Sequence, residues 1–540
     1  MKAIKYTGLV VFITGLIIFT GSIFTGSFNL SETELDSFVK SKNYKNELIK
    51  QELKKAIVTS EQLNIFEFSS RVRNAYKVSN DHYDALIAKY DAEKNWDKKG
   101  AQYQYKIYGK PHTISFELAK IAGKGPINEN AGLYWWLTFG LGIIGALLFI
   151  LPNYILLGNA GIKNNGIYLE SSTNKGVVAW LVLVYLVSFY LLLYFMPDYV
   201  VNWTFIFDPI SNSLNGGNAS QWFVYGFLYC VIMLIMATRM YIKYRHNKYQ
   251  VIRTTSVLFF QIVFAFLIPE IMTSLNMPGY DFKNAFPLDY DFFFEWNLES
   301  LKSSGAIGLF ILVWGIVLTL VIVPVMVYFF GKRWYCSWVC GCGGLAETLG
   351  DPYRQHSNKR MNAWKLERWL IHSVLVFSLV MTIVTLYCYF SGTQSLLGIN
   401  TQWIKDTYSF LIGAWFAGVI GTGFYPIFGN RVWCRFGCPL AAYLGLVQRF
   451  KSRFRITTNG GQCISCGNCS TYCEQGIDVR AYAQKGENIV RSSCVGCGVC
   501  SAVCPRGVLK LENGPEKGRI NPTDVLLGND VDLMKLVNDK

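Results

Sequence analysis

Residues 463–473 read CISCGNCSTYC and residues 494–505 read CVGCGVCSAVCP, two four-cysteine runs that decide what the rest of the chain must accommodate. Each has the spacing C-x2-C-x2-C-x3-C. In such a run the first three thiolates wrap one cubane of iron and sulfide, while the fourth, past a turn, reaches the neighbouring cluster. The spacing assigns Cys463, Cys466, Cys469 and Cys504 to one [4Fe-4S] cluster and Cys494, Cys497, Cys500 and Cys473 to a second. Gly467, Gly496 and Gly498 fall between ligands, where a tight loop needs positive φ and backbone N–H groups approach the sulfides. Zinc is the competing reading, because CxxC pairs also bind it. It needs two pairs per site and leaves the regular third and fourth cysteines without a purpose. A disulfide framework is disfavoured where a domain faces the cytoplasm.

This stretch of about 60 residues resembles the bacterial two-cluster ferredoxins. One departure is Glu474, where that family usually has proline after the fourth cysteine; the substitution is expected to loosen the first loop without removing a ligand.

Composition places the module in a membrane. Hydrophobic residues make up 51% of 540, only 16% are charged, and the mean hydropathy is +0.25. The apolar residues are bunched into runs of roughly 20, the length that crosses ~30 Å of hydrocarbon. Eight spans are expected, near 6–26, 132–156, 176–196, 221–242, 254–275, 306–330, 367–390 and 404–428. The first is read as a retained anchor in preference to a cleaved signal peptide, since no small-residue cleavage site follows Phe24.

Loop charge orients the spans. Lys243, Arg245, Lys248 and Arg253, then Lys332 and Arg333, then Arg354, Lys359, Arg360, Lys365 and Arg368 form short basic segments, cytoplasmic by the positive-inside rule. The loop 276–305 carries Asp281, Asp289, Asp291, Glu295 and Glu299 and falls on the other side. Much of the net charge of +15 is then expected to report topology and contact with anionic lipid, which leaves no basic surface for nucleic acid. The expected fold is a polytopic α-helical membrane protein of about eight spans with an extracytoplasmic α+β domain and a cytoplasmic two-cluster ferredoxin-like α+β domain. Its parts are an N-terminal anchor (1–26), an extracytoplasmic domain (27–131), a four-span region (132–275), an extracytoplasmic loop (276–305), a membrane electron-transfer region (306–456), the ferredoxin domain (457–512) and a polar tail (513–540). Residues 27–131 read as amphipathic helices, such as Glu32 to Ile57, followed by strand-like stretches at Tyr103 to Tyr108 and Thr113 to Phe116. His82 and His112 are read there as solvated, with no metal site.

A second cysteine constellation follows spans six and eight. Arg333-Trp334-Tyr335-Cys336-Ser337-Trp338-Val339-Cys340-Gly341-Cys342 and Arg431-Val432-Trp433-Cys434-Arg435-Phe436-Gly437-Cys438-Pro439 form an internal repeat of span plus CxxxC, on one face of the membrane. Cysteines four apart share a side of a helical turn, so four sulfurs can converge at the lipid boundary.

Residues 306–512 look like the membrane polyferredoxins typified by NapH of periplasmic nitrate reduction and NosR of nitrous oxide reduction. These join two membrane CxxxCP motifs to a two-cluster ferredoxin. The resemblance implies electron transfer from quinol, or across the membrane, in support of an extracytoplasmic oxidoreductase or cytochrome. It carries over to Cys434 and Cys438 with Pro439. At Cys336 and Cys340 the proline is replaced by Gly341, and Cys342 is a thiol the family motif lacks. Residues 27–131 have no Ser-Gly-Ala-Thr motif, so covalent flavin is not expected. The copper-oxidase assembly polyferredoxins share similar motifs, which keeps a maturation or redox-sensing role open beside the relay. Three roles stay open for Cys336, Cys340, Cys342, Cys434 and Cys438: ligands of an additional metal centre, a dithiol couple, or a seat for the ferredoxin.

Other membrane candidates are few. His372 is the only histidine in a span, so no bis-histidine haem is expected within this chain. Glu270, beside Pro269, is either a quinol proton acceptor or a solvated carboxylate. Cys230 and Cys388 read as small buried hydrophobes. Val531 to Val537 in the tail reads as a short docking helix. The localisation expected is the bacterial cytoplasmic membrane, multi-pass, with membrane lipid and quinol as partners.

Overall fold

The computed structural model describes residues 1–513 apart from 43, 45, 60, 108, 109, 157–174, 394 and 397. The tail and its expected docking helix lie outside the described residues. Seven helices among the described residues are long and apolar enough to cross a membrane: Lys2–Phe24, Ala131–Leu156, Val177–Phe195, Gln221–Tyr244, Lys248–Ser274, Gly305–Phe330 and Met361–Ser391. The eighth expected span, 404–428, is helical through Thr401–Tyr408, Ser409–Ile420 and Gly421–Gly423, then resumes at Tyr425–Phe428. It falls short of the others because Asp406, Ser409 and four glycines (413, 418, 421 and 423) dilute its apolar content. Cys230 and Cys388 are buried in their helices, as expected of small hydrophobes.

The chain forms two compact units. The first comprises residues 1–154, 185–235 and 266–279. In it Lys2–Phe24 packs on Ala131–Leu156 so tightly that a Cβ on Gly145 would lie 2.3 Å from the backbone nitrogen of Phe12. Small residues permit that approach between membrane helices. The helices Glu32–Ser41 and Glu47–Ile57 match the amphipathic reading. Ser31 and Glu34 close a capping box on the first and Asn46 caps the second. Leu35, Leu53, Ile57, Phe68, Val72 and Leu118 bury their faces.

Among the described residues the strand-like stretches are not strands. Thr113 to Phe116 lies in the helix Pro111–Ala122, where Ile114, Ser115, Leu118, Ala119 and Ala122 are buried at helical intervals. That longer period, begun by a proline at the first turn, overrides the local β-branched look of Thr-Ile-Ser-Phe. Tyr103 ends the helix Trp96–Tyr103, and the chain then turns through residues 104–106. The β content described for this unit is one two-residue ladder, Ser27–Phe28 with Gly123–Lys124, and a bridge from Phe28 to Leu63, so the α+β expectation reduces here to an almost wholly helical region. His82 is exposed, but His112 is not a free solvated histidine: its Nδ1 lies 2.8 Å from Asp198, a fully buried carboxylate that also pairs with Arg73 at 3.0 Å. Sequence reading also missed the helix Val201–Asn215, a largely buried element too short to span a membrane that carries Pro209 within it. Its Trp203 indole donates to the Phe19 carbonyl at 2.9 Å.

The second unit comprises residues 155–184, 236–265 and 280–540. Its ferredoxin portion is closed by an antiparallel pair, Phe454–Thr457 with Lys510–Asn513. Phe454, Ile456, Ile477, Val479, Ile489 and Leu509 form its small core around the cysteine loops.

Candidate metal centres

Cys463, Cys466, Cys469 and Cys504 line one hollow, together with Gly467 and Pro505. Gly467, Gly496 and Gly498 hold φ of +79°, +60° and +74°. The loops are thus turned as the spacing requires. Burial pushes the Cys469 thiol up to about 12, and its neighbours Cys504, Cys466 and Cys463 add to the effect. In the second quartet burial raises Cys494 to about 11, with Cys473 contributing. Cys500 is raised further by burial and then by Cys497, Cys494 and Cys473. Thiols crowded this way resist ionising together unless a cation shares them, and a cluster of ferric and ferrous iron is such a cation. The four thiols that line the hollow, Cys463, Cys466, Cys469 and Cys504, are a donor set that suits an iron–sulfur cluster.

The CxxxC motifs do not sit on single helical turns. Cys336 ends the short helix Arg333–Cys336, and Cys340 is the N-cap of Gly341–Glu347. Cys434 lies in Val432–Phe436, and Cys438 is the N-cap of Pro439–Lys451. Matching backbone bonds run from Cys340 N–H to the Tyr335 carbonyl (2.7 Å) and from Cys438 N–H to that of Trp433 (3.0 Å). The repeat extends upstream to Gly331 and Gly429, which break the preceding helices at φ of +71° and +91°. The convergence expected of the four sulfurs is present by this helix–kink–cap route, and Cys342 joins them: Cys336, Cys340, Cys342, Cys434 and Cys438 line one hollow. Burial raises Cys336 to about 12, and it raises Cys434 and Cys438 as well. A hydrogen bond from Cys342, with backbone N–H groups, brings Cys340 down to about 6.

A buried charge network lies beside Cys497 of the second ferredoxin quartet, where Glu347 and Glu474 come within 4.8 Å of its sulfur. Arg354 donates to Asp351 (2.7 Å) and Glu474 (2.7 Å), and also pairs with Glu347. Arg431 pairs with Glu347 at 2.8 Å and Glu474 at 2.9 Å. Lys243 and Arg239 reach Asp351, and Arg253 reaches Glu347. Burial opposes the charge on Glu347 and Asp351, yet the surrounding guanidinium and ammonium groups hold both well below the usual carboxylate range. Two expectations change as a result. Glu474 does not loosen its loop: it is 1% exposed and pinned by Arg354, Arg431 and Asn430. Lys243, Arg253, Lys332 and Arg354, assigned to loop topology and lipid contact, are buried inside the unit. The ferredoxin rests directly on these segments, with Tyr249 donating to the Gly496 carbonyl (2.9 Å), Gln250 to that of Cys497 (2.8 Å) and Ser337 to that of Val495 (2.8 Å).

Part of the segment expected as an external loop packs beside the hollow. Trp314 donates to the Phe282 carbonyl (2.8 Å), Tyr335 donates its hydroxyl to the Lys283 carbonyl (2.8 Å), and Leu288 lines the hollow itself. Irregular backbone beside membrane helices is tolerated where protein satisfies its polar groups, which these contacts do. Neither this insertion nor the roles of Glu347 and Asp351 was read from sequence. The available signal was two acids, Glu347 and Asp351, set among basic residues next to a cysteine motif. His372 is half-buried, and Glu270 accepts from the Asn215 amide at 2.6 Å.

Residues 455–505 match the 4Fe-4S dicluster domain family, and residues 312–360 and 411–457 match a 4Fe-4S binding domain family. The chain is 26% identical over 194 residues to YccM of Escherichia coli, named as an electron transport protein, covering 34% of this chain and 53% of that one. It is 29% identical over 164 residues to the methylamine utilization ferredoxin-type protein MauN of Methylobacillus flagellatus, covering 29% of this chain and 53% of that one. The aligned region thus spans about half the length of each of these relatives. No solved structure matches. The ferredoxin-type domains, the relatives so named and the seven apolar helices fit a membrane polyferredoxin.

Proposed function

We propose that this chain is a membrane-bound iron–sulfur electron carrier that relays electrons between the quinol pool or a cytoplasmic donor and an extracytoplasmic oxidoreductase. Cys463, Cys466, Cys469 and Cys504 hold one cluster, and Cys494, Cys497, Cys500 and Cys473 hold the other. Bound [4Fe-4S] clusters supply one-electron storage at potentials set by charge, hydrogen bonding and solvent exposure.

The observation that carries the reading is continuity of packing. Val495, between two of the proposed ligands, is buried in the same apolar core as Cys336, Cys340, Cys434 and Cys438, and Cys497 packs against that core. The carbonyls of Val495, Gly496 and Cys497 are each held by side chains of the membrane segments, which keeps the second quartet at a set distance from the CxxxC thiols. Arg354 and Arg431 supply positive charge beside it, and the apolar walls keep water away. In this reading the ferredoxin side is cytoplasmic, the protein sits in the cytoplasmic membrane, and residues 27–131 are the docking region for the outer partner.

The test is reduction by quinol. Full-length protein reconstituted anaerobically into liposomes should bleach in the visible band of its clusters when a menaquinol or ubiquinol is added, and should recover when a membrane-impermeant oxidant is supplied. Protein that dithionite reduces but no quinol does would remove quinol as the donor. An intact response in a variant lacking Cys434 and Cys438 would remove the hollow from the route.

A further inference from the structure

Cys466 is the one exposed cysteine of this chain; Cys463 and Cys504 beside it are partly exposed, whereas Cys494 and Cys500 of the other quartet are buried. The first quartet also carries two arginines at its rim. Arg480, in the helix Val479–Lys485, and Arg506, in the loop after Cys504, both line its hollow and are both exposed. We propose that this rim is the docking surface of a soluble, acidic one-electron carrier protein, which delivers electrons through the edge at Cys466. The inference rests on the electron-transfer reading and specifies its cytoplasmic donor.

Position comes first. The ferredoxin is fastened to the membrane segments through the carbonyls of Val495, Gly496 and Cys497, held by Ser337, Tyr249 and Gln250, and through that of Ala502, which meets the His246 ring. Among the described residues no such bond reaches 461–467 or 505–507. Electron transfer weakens steeply with distance, so the quartet that comes to the surface is the one a soluble protein can serve.

Charge comes second. Arg354 and Arg431 are saturated by buried acids, but Arg480 and Arg506 have no carboxylate partner among the described residues. The exposed charged side chains between 454 and 513 are Arg480, Lys485, Arg506 and Lys510 against Glu487. An approaching protein therefore meets a positive rim, which speeds encounter with an acidic surface and slows a basic one.

Shape comes third. Ile464, between two proposed ligands, is 54% exposed, and Pro505 shares the same lining. An apolar contact flanked by arginines is the composition of a protein–protein interface. The edge is held in a set form: Ser465 stands at φ +56° and its hydroxyl accepts from the Gln484 amide at 2.6 Å. A cluster takes up the hollow itself, so the rim around it suits a partner's surface better than a small molecule. Anionic lipid also answers to arginine, but the part of the ferredoxin fastened to the membrane segments is the one holding Gly496 and Cys497. In the transfer the carrier is oxidised by one electron and the iron of the first quartet is reduced by one; no bond forms or breaks.

Full-length protein in nanodiscs of neutral phosphatidylcholine, handled anaerobically, tests this with a purified acidic flavodoxin, reduced to its hydroquinone, as the carrier. The rate at which flavodoxin bleaches the clusters should fall about ten-fold or more between low salt and about 0.5 M salt. Arg480→Glu combined with Arg506→Glu should lower the low-salt rate by about ten-fold or more, with iron content and the extent of reduction by dithionite unchanged. Arg480→Lys combined with Arg506→Lys should keep most of the rate. Oxidised flavodoxin should slow amide hydrogen exchange at 461–467 in the parent and not in the charge-reversed protein. No reaction with flavodoxin, a rate indifferent to salt and to charge reversal, or a low-salt preference for basic cytochrome c over flavodoxin would overturn the docking surface. Intact iron would then leave the electron-carrier reading standing, and protein without iron would sink both. Slowed exchange at 461–467 on adding anionic phosphatidylglycerol to the nanodisc, with no carrier present, would give the rim to the membrane and overturn the proposal as well.

Discussion

Arg354 donates through Nη1 to Glu474 Oε2 at 2.7 Å, tying the loop that follows the first CxxxC motif to the residue that follows Cys473. Both side chains are 1% exposed. Truncating one partner of a buried pair strands the other charge, at about 3–5 kcal/mol, and here Arg431 loses a partner too. Glu474→Ala is therefore expected to unseat the ferredoxin and expose the link after Lys451 to protease at doses the parent survives. Glu474→Gln keeps hydrogen-bonding capacity and should fall between the two. Equal protease resistance in the Ala variant would show that the network does not hold the module down.

The repeat makes a paired prediction at Gly331 and Gly429. Both have positive φ with ψ near 180°, a region that side chains avoid. A Cβ would also sit 2.6 Å from the Phe454 ring at Gly331 and 2.5 Å from the Ser357 hydroxyl at Gly429. Alanine at either should cost about 1–3 kcal/mol from backbone strain alone, with the contact penalty added. Gly142→Ala, which meets nothing within 4 Å, is the control and should leave the thermal midpoint in detergent unchanged. A Gly331→Ala protein as stable as that control would refute the tight seat.

Tyr335 tests the inserted segment. Its hydroxyl donates to the Lys283 carbonyl (2.8 Å) and accepts from the Ala285 N–H (3.2 Å), fastening residues 283–285 beside Cys336. Tyr335→Phe leaves both backbone groups without that partner at a cost of about 1–3 kcal/mol each. Amide hydrogen exchange around Lys283 to Leu288 should then speed up while protection in Phe454–Thr457 stays the same. Unchanged exchange at Ala285 would mean that other contacts hold the segment.

The parts of this molecule legible in sequence are those whose physics is local or periodic. Thiolate spacing alone grouped Cys504 with Cys463, Cys466 and Cys469, and a run of apolar residues was enough to find Gly305–Phe330. The meeting of Cys336 with Cys434 was legible because the two motifs repeat, although the route through a kink and a cap was not, since CxxxC suits a helical turn equally well. What escaped depends on partners distant in sequence. Glu474 looked like a defect in a ferredoxin loop because Arg354 and Arg431 are far from it in the chain. Arg253 looked like a topology signal until Glu347 lay opposite it. Thr113 to Phe116 looked like a strand because the buried spacing that makes it helical continues to Ala122.

The pair Lys120 and Asp208 yields a pH prediction for the first unit. Burial pushes the Lys120 ammonium down to about 8, although Asp208, 2.8 Å away, pulls the other way. An unfolded lysine titrates near pH 10.4. Between about pH 8 and that value the unfolded chain binds more protons at this position than the folded one, so the Lys120 contribution to stability rises as pH climbs through the window and is flat below it. The thermal midpoint of the full chain in detergent, followed from about pH 7 to about pH 10, should thus gain an upward component that Lys120→Met removes. Asp208→Asn should lower the lysine further, because the compensating charge is gone, and shift the onset of that component to lower pH. Identical pH profiles for the parent and Lys120→Met would show that the ammonium keeps its ordinary affinity for protons in the folded protein.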